Sequence, residues 1–206
     1  LDYGFSAQQV AELSRVFRIV VNASTVSSDE IASWREAGAD VTRFAACHNF
    51  YPKPYTGLSL EDVARTNLRL AALGFEIMAF VPGDTNVRGP VFEGLPTVEA
   101  QRGRASKVAL NMLELAHGAD CDIVLVGDPD LSDAGWAQFA QVSAGYVDVR
   151  CELEPGYSYL RGQIHHDRPD SSAHIFRSQE SRTTLKPGAV PSDSGAGLPR
   201  KAGSIA

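Results

Sequence analysis

The sequence predicts an α/β protein built as a (β/α)8 TIM barrel, and three observations carry that reading. Short apolar, β-branched runs alternate with longer amphipathic runs along most of the 206 residues, as right-handed βαβ units around a parallel sheet require. The strand-like runs are near-continuously apolar, the mark of strands covered on both faces. Polar residues collect where those runs end: Asp2, Asn22, His48 with Asn49, Asp84, Asp128, and Glu152 with Glu154. In a barrel that is the face on which sites are assembled. A doubly wound sheet also binds ligands at strand ends, but at one switch point, and no Gly-x-Gly-x-x-Gly follows a strand here. About six strands, in a chain that begins inside a strand-like run, fit a barrel lacking its first two units.

The elements follow in order. Residues 1–5 read as the stump of a strand and 6–16 as the helix after it. Residues 18–24 (RIVVNAS) form a β-branched run, with a helix over 28–37 stopped by Gly38. A strand over 41–49 leads to a helix over 59–73, where Ser59 is the expected N-cap and Asp62 stands in place of the usual glutamate. Leu60, Val63, Ala64, Asn67, Leu68 and Ala71 repeat at helical spacing, and Gly74 ends the run. Residues 75–82 are the next strand, followed by a long loop over 83–96 and a helix over 97–116. Residues 121–127 (CDIVLVG) form a strand tipped by Asp128, 132–142 a helix, and 147–153 a further strand. From 183 to 206 the composition shifts to Pro, Gly, Ser and Ala without apolar periodicity. Residues 1–182 are therefore expected as partial barrel and 183–206 as a linker or the start of another domain.

Bulk properties exclude several functions. A net charge of −6, from 19 basic and 25 acidic residues, offers no electrostatic footprint for nucleic acid. No run of eighteen apolar residues occurs, so no membrane-spanning helix is expected. Cys47, Cys121 and Cys151 are odd in number and widely spaced, which fits reduced thiols in the cytoplasm better than a disulfide framework. His48, His117, His165, His166 and His174 share no metal-ligand spacing, so neither a catalytic metal nor another cofactor is expected.

Three segments carry candidate chemistry. The connection Ala46-Cys47-His48-Asn49-Phe50-Tyr51-Pro52-Lys53-Pro54-Tyr55-Thr56-Gly57-Leu58-Ser59 is stiffened by proline and lined with groups that stack and hydrogen-bond, as a binding loop on a rigid scaffold is. A purely structural crossover whose aromatics cap a barrel end would share those features. The loop after residue 82 offers Arg88, a fork for carboxylate or phosphate, and Glu93, where partial burial would suit a general acid. An Arg88–Glu93 ion pair holding the loop is the structural alternative, and Glu99 reads as helix capping and dipole compensation. Asp128 and Asp2, at strand tips, complete the catalytic candidates. The late segment 165–182 combines His165, His166, Arg168, Arg177 and Arg182. If helical, it turns a basic face toward an anion or toward solvent.

The runs CHNFYPKPYTGLS and AFVPGDTNVRGPVFEGLPTVE, the strand end VGD and the late RSQESR resemble the bacterial outer surface protein family whose characterised activity is 6-phospho-N-acetylmuramidase. With LDYGF and VVNAS included, the resemblance runs from Leu1 to about Ile205. It implies a TIM barrel, N-terminally truncated here, with the start of a C-terminal cyclophilin-like β-domain at Arg200-Lys201-Ala202-Gly203-Ser204-Ile205. It also implies a cytoplasmic glycosidase that cleaves the 6-phospho-N-acetylmuramic acid–N-acetylglucosamine disaccharide during cell-wall recycling. On that comparison one acid among Asp2, Glu93 and Asp128 protonates the glycosidic oxygen, and the second group is a carboxylate or the substrate's own N-acetyl group. Asn22, His48, Asn49 and Tyr51 would orient the sugar, and Arg88, Arg177 or Arg182 would take the phosphate or the lactyl carboxylate. The expected partner is thus a phosphorylated amino-sugar disaccharide, with no nucleic acid or membrane, and oligomeric state is open. A phosphosugar lyase or isomerase is the second reading, although Lys53, Lys107, Lys186 and Lys201 all fall outside strand tips. A non-catalytic sugar-phosphate binder is the third. A barrel lacking two units is expected to be inactive or unstable by itself.

Overall fold

A computed structural model of the chain describes residues 4–153, 156–172 and 175–183. The chain divides into two compact units, Leu1–Asp148 and Val149–Ala206.

The first unit is built on four parallel strands, β1 (Ile19–Asn22), β2 (Phe44–Cys47), β3 (Glu76–Val81) and β4 (Ile123–Val126), hydrogen-bonded in the order β1-β2-β3-β4. Helices lie between them: α1 (Ala7–Val16) before β1, α2 (Ser28–Glu36), α3 (Leu60–Ala71), α4 (Glu99–Arg102) and α5 (Val108–Leu113), then α6 (Asp133–Ser143) after β4. Helix starts follow the local chemistry. Ser6 with Gln9 and Ser27 with Glu30 form reciprocal capping boxes at α1 and α2. At α3 the Ser59 hydroxyl accepts from the Asp62 N–H at 3.0 Å and donates to Asp62 Oδ2 at 2.7 Å. Aspartate, a methylene shorter than glutamate, takes the hydroxyl in place of the Ser59 backbone N–H.

Strand alternation sorts the sheet into two faces. Ile19, Val21, Phe44, Ala46, Ile77, Ala79 and Val81 enter one buried cluster with Val10, Ile31, Trp34, Val63, Leu70, Val108, Met112 and Leu115 from the helices. Phe44 centres it, 5.7 Å from the Trp34 ring and edge-on to Phe75 at 5.8 Å. Full burial of such a side chain contributes about 1.5–3 kcal/mol. The opposite face carries Val20, Asn22, Cys47, Met78 and Phe80, all outside that cluster, with Val20 37% exposed. Helices therefore cover one face of this sheet.

Four expectations meet a different structure. Residues 41–43 form a 3-10 turn, with the Asp40 side chain accepting from Thr42 N, so the second strand begins at Phe44. The single helix expected over 97–116 is broken after Arg102, and a π-helical turn, Glu114–Gly118, follows α5. Gly103 ends α4, and buried amides brace the break: Asn111 Nδ2 donates to Arg104 O at 3.2 Å and Gln101 Nε2 to Asn111 O at 3.0 Å. Residues 147–153 form no strand, because no described segment pairs with them and a strand exists by its pairing. Segment 165–182 is not a helix, since Pro169 forbids a helix interior. In the second unit its two arms pair instead around an antiparallel bridge between Asp167 and Ser178, and among the described residues of that unit a 3-10 turn (Ser158–Leu160) and a short α7 (Glu180–Thr183) are helical. Residues 1–3, which hold Asp2 and most of the expected first strand, lie outside the described residues, as do His174, Glu154 and residues 184–206.

Candidate functional site

The C-terminal edge of the sheet carries the polar strand ends. Asn22 ends β1, and its Nδ2 donates to Asn49 Oδ1 just beyond β2 at 3.4 Å, while its own Oδ1 accepts from Ser24 N at 2.9 Å. Both amides stand on the uncovered face by alternation, and Asn49 is exposed. Phe50 packs edge-on against Phe80 of β3, 5.3 Å between centroids. Asn22, Asn49, Phe50 and Phe80 thus come together, a polar pair beside an aromatic pair.

His48 goes elsewhere. One residue before Asn49, it points to the helix-covered face and is 1% exposed. Its Nε2 lies 2.7 Å from Asn67 Oδ1 on α3, and Asn67 Nδ2 donates to Ala119 O at 2.6 Å. Because the amide nitrogen is committed to a carbonyl, the oxygen faces the ring, so Nε2 carries the proton and Nδ1 is a buried acceptor with no partner. Burial pushes the ring's pKa down, only partly offset by the Asn67 bond. His48 ties the end of β2 to α3, separated from the amides at the strand edge by the sheet itself.

Asp128, 6% exposed beyond β4, is held by three backbone N–H donors. Gly83 N at 2.8 Å and Leu95 N at 2.9 Å reach Oδ2, and Arg88 N at 2.9 Å reaches Oδ1. The carboxylate gathers both ends and the middle of the 83–95 loop. Gly127 permits this approach, since a Cβ there would overlap Leu95 O and meet Leu95 Cβ at 2.9 Å. Asp84 accepts from Ser132 N at 2.7 Å and from the Ser132 hydroxyl at 2.6 Å, fixing the start of α6. Glu93 is exposed rather than partly buried, and no Arg88–Glu93 ion pair forms among the described residues. Arg88 is likewise exposed. The loop is organised from beneath by Asp128, which leaves both side chains on its outer surface.

Glu99, read in the sequence as helix capping, does more through its pairing with Arg102. Arg102, with its side chain 10% exposed, donates from Nε to Glu99 Oε1 at 2.8 Å and from Nη2 to Glu99 Oε2 at 2.9 Å. Its Nη1 reaches Glu93 O at 3.0 Å and Gly94 O at 2.9 Å, and Nη2 reaches Tyr51 O at 2.8 Å. Glu99 in turn accepts from Tyr55 N at 2.9 Å and Gly57 N at 2.8 Å. The Arg102 bonds, with the Tyr55 and Gly57 amides, hold the Glu99 carboxyl at about 2. This pair pins the loop after β2 to the loop after β3. Beside it Thr97, fully buried, accepts from Phe80 N at 3.0 Å and donates to Asn49 O at 3.0 Å. Thr97 takes over where direct pairing of β2 with β3 ends at the His48 N to Met78 O bond. Tyr51 is half-buried, its backbone bonded to Pro96 O and Arg102. The signal for the pin was the i, i+3 Glu–Arg spacing, but the loop amides it would meet are 42 and 44 residues away in sequence.

The cysteines are free thiols, and burial pushes Cys121 up to about 11 and raises Cys47 as well, which keeps both protonated and poor nucleophiles. Among the described residues no group of three or more His, Cys, Asp or Glu side chains could hold a metal ion, and no helix is long and apolar enough to cross a membrane. In the second unit, Arg177 Nη2 pairs with Asp170 Oδ2 at 3.1 Å. Arg182 lies within α7, and its side chain is outside the described residues.

A family profile described as "6-phospho-N-acetylmuramidase, N-terminal" matches residues 1–141. The chain belongs to this family. The matched span falls within the first unit, so Asn22, Asn49, Glu93, Asp128 and the Glu99–Arg102 pin all lie inside the muramidase-family region. Arg177 and Arg182 lie beyond it. No curated protein matches the chain. Among solved structures, a conserved protein of unknown function from a locus in Enterococcus faecalis is 37% identical with a TM-score of 0.61. An uncharacterised protein from B. cereus is 25% identical with a TM-score of 0.58. Each likeness covers 67% of this chain and 40% of the other, so the chain spans well under half the length of those structures.

Proposed function

We propose that this protein contributes the catalytic barrel of a glycosidase that hydrolyses the disaccharide of 6-phospho-N-acetylmuramic acid and N-acetylglucosamine during cell-wall recycling. The observation that carries the reading is the family match over 1–141, which spans every polar strand end from Asn22 to Asp128. Support for a TIM barrel comes from the sheet: four parallel strands in sequential order with helices on one face. An open doubly wound sheet carries helices on both faces and reverses its order, whereas a barrel keeps both sequential order and a one-sided helical coat. On this reading residues 1–182 supply barrel units and 183–206 lead into a following domain. The free thiols accord with a reducing cytoplasm.

Roles follow from what each side chain is free to do. Glu93 is an exposed carboxylate on a loop fixed by Asp128 and Arg102, and serves as the general acid. Asp128 spends its oxygens on three backbone amides and acts by holding Glu93 and Arg88 in place, with Asp2 the remaining carboxylate candidate. Asn22, Asn49 and Tyr51 orient the sugar, and Arg88 offers its fork to the phosphate or the lactyl carboxylate. His48 supports the strand end from the helix side.

Kinetics of two variants in the full-length protein test the assignment. Glu93→Gln is expected to lower kcat about 10²–10⁴-fold with the fold intact, as loss of a general acid does. Asp128→Asn is expected to lower both activity and thermal stability, because an NH2 group must face backbone donors. Unchanged turnover in Glu93→Gln would remove Glu93 from the chemistry.

A further inference from the structure

We propose that Tyr55 and Phe92 are paired aromatic platforms on which the pyranose rings of the ligand stack, an assignment that rests on the glycosidase reading above for the ligand's identity. Each ring is carried on left-handed backbone, at φ 67° for Tyr55 and 59° for Phe92. A bulky side chain is a genuine outlier there, because its Cβ crowds the following carbonyl. Lys53-Pro54-Tyr55-Thr56 is a turn closed by Thr56 N on Lys53 O at 3.3 Å. Proline stands second and the positive φ falls third, the place that glycine or asparagine ordinarily takes. On the next loop a Cβ at Gly89 would lie 2.9 Å from Phe92 Cζ and 3.3 and 3.4 Å from its two Cε atoms. The Phe92 ring therefore meets Gly89 by its tip and leaves its faces open.

Burial does not repay that strain, since Tyr55 is 94% exposed and Phe92 64%. An apolar side chain alone on a surface is ordinary, but a strained backbone persists only where its surroundings impose it. One ion pair imposes both. Glu99 Oε1 accepts from Tyr55 N at 2.9 Å, and Arg102 donates to Lys53 O at 3.2 Å and to Glu93 O at 3.0 Å. The Glu99–Arg102 pin thus grips the chain at one outlier and one residue past the other, while Asp128 holds Arg88 N and Leu95 N on either side of Phe92. Two loops are cross-linked so that each displays an aromatic ring at the rim. The chemistry around the rings selects the ligand. Arg88 and Glu93 are exposed close to Phe92 in sequence, and Lys53 is exposed in the turn of Tyr55. Charged groups are depleted from the dry core of a protein interface. A pyranose suits the mixture: its ring carbons, each bearing oxygen, present a face of positively polarised C–H groups to the negative face of an aromatic ring. Its hydroxyls and anionic substituents meet the charged neighbours.

Stability and affinity measured on the same variants of the whole protein test the platforms. The probe is the sulfur-linked analogue of the 6-phospho-N-acetylmuramic acid–N-acetylglucosamine disaccharide, which resists hydrolysis, titrated by calorimetry. Tyr55→Gly and Phe92→Gly remove the ring and relax the backbone. Each is expected to melt at the wild-type temperature or above it and to bind the analogue about two- to tenfold more weakly, as loss of one stacking contact does. Tyr55→Trp and Phe92→Trp keep an aromatic face and are expected to bind as wild type does. Tyr146→Ala, at an exposed tyrosine beyond the far end of α6, is the control expected to leave affinity unchanged. No binding of the analogue by wild type, unchanged affinity in either glycine variant, or an equal loss in Tyr146→Ala would overturn the platforms. Hydrolysis of the natural disaccharide with ring-independent binding would retire the platforms and leave the glycosidase reading. Ring-dependent binding without hydrolysis would do the reverse.

Discussion

Arg102 is the side chain on which the rim of the first unit depends most. It ties a carboxylate and the carbonyls of two loops into one part-buried network, so its truncation leaves Glu99 with only the Tyr55 and Gly57 amides and removes a donor from the carbonyls of Tyr51, Lys53, Glu93 and Gly94. Arg102→Ala is expected to cost about 1.5–3 kcal/mol, the range for hydrogen bonds to charged groups, read as a drop in the denaturation midpoint. Glu99 gives the same network a pH signature. Its folded pKa of about 2 lies below the ordinary 4.5, so its contribution is complete above pH 4.5 and is lost as pH falls from there through about 2. The stability difference between wild type and Glu99→Gln is therefore expected to shrink across that window. A constant difference would separate the pin from the charge of Glu99. Thr97 is the neutral counterpart: Thr97→Val removes a buried donor and acceptor and is expected to cost about 1–3 kcal/mol.

At the level of elements, the sequence was readable where each run had one local cause and opaque where partners lay far along the chain. The helices at 7–16, 28–36 and 60–71 were legible because Ser6, Ser27 and Ser59 cap them and apolar residues recur at helical spacing. The four strands were legible from their apolar runs. The helix expected over 97–116 broke because Gly103 and the buried amides Gln101 and Asn111 favour a turn that only tertiary contacts complete. Asp128 was correctly seen at a strand tip, but its three donors come from a loop 33 to 45 residues earlier, which no local pattern shows. His48 illustrates the opposite limit: strand alternation alone put it on the face away from Asn49, yet its polarity drew it into the predicted site. Gly127→Ala is the sharpest element-scale test. The added methyl must displace Leu95 and with it the Leu95 N to Asp128 bond, so a loss of both stability and activity is expected, larger than that of an exposed alanine substitution.

For the whole molecule, the one-sided helical coat has a physical consequence. A parallel sheet is ordinarily covered on both faces, and Val20, Met78 and Phe80 sit outside the buried cluster of the first unit. The 206-residue chain is expected to bind a hydrophobic dye such as ANS and to melt with low cooperativity. The family assignment is the ground for the proposal that the protein cleaves a phosphorylated muramic acid disaccharide. Mass spectrometry of that disaccharide after incubation with full-length protein tests it most directly. Release of free N-acetylglucosamine and 6-phospho-N-acetylmuramic acid is expected, abolished in Glu93→Gln and absent for the unphosphorylated disaccharide. An intact disaccharide after prolonged incubation with protein shown to bind it would rule out the glycosidase.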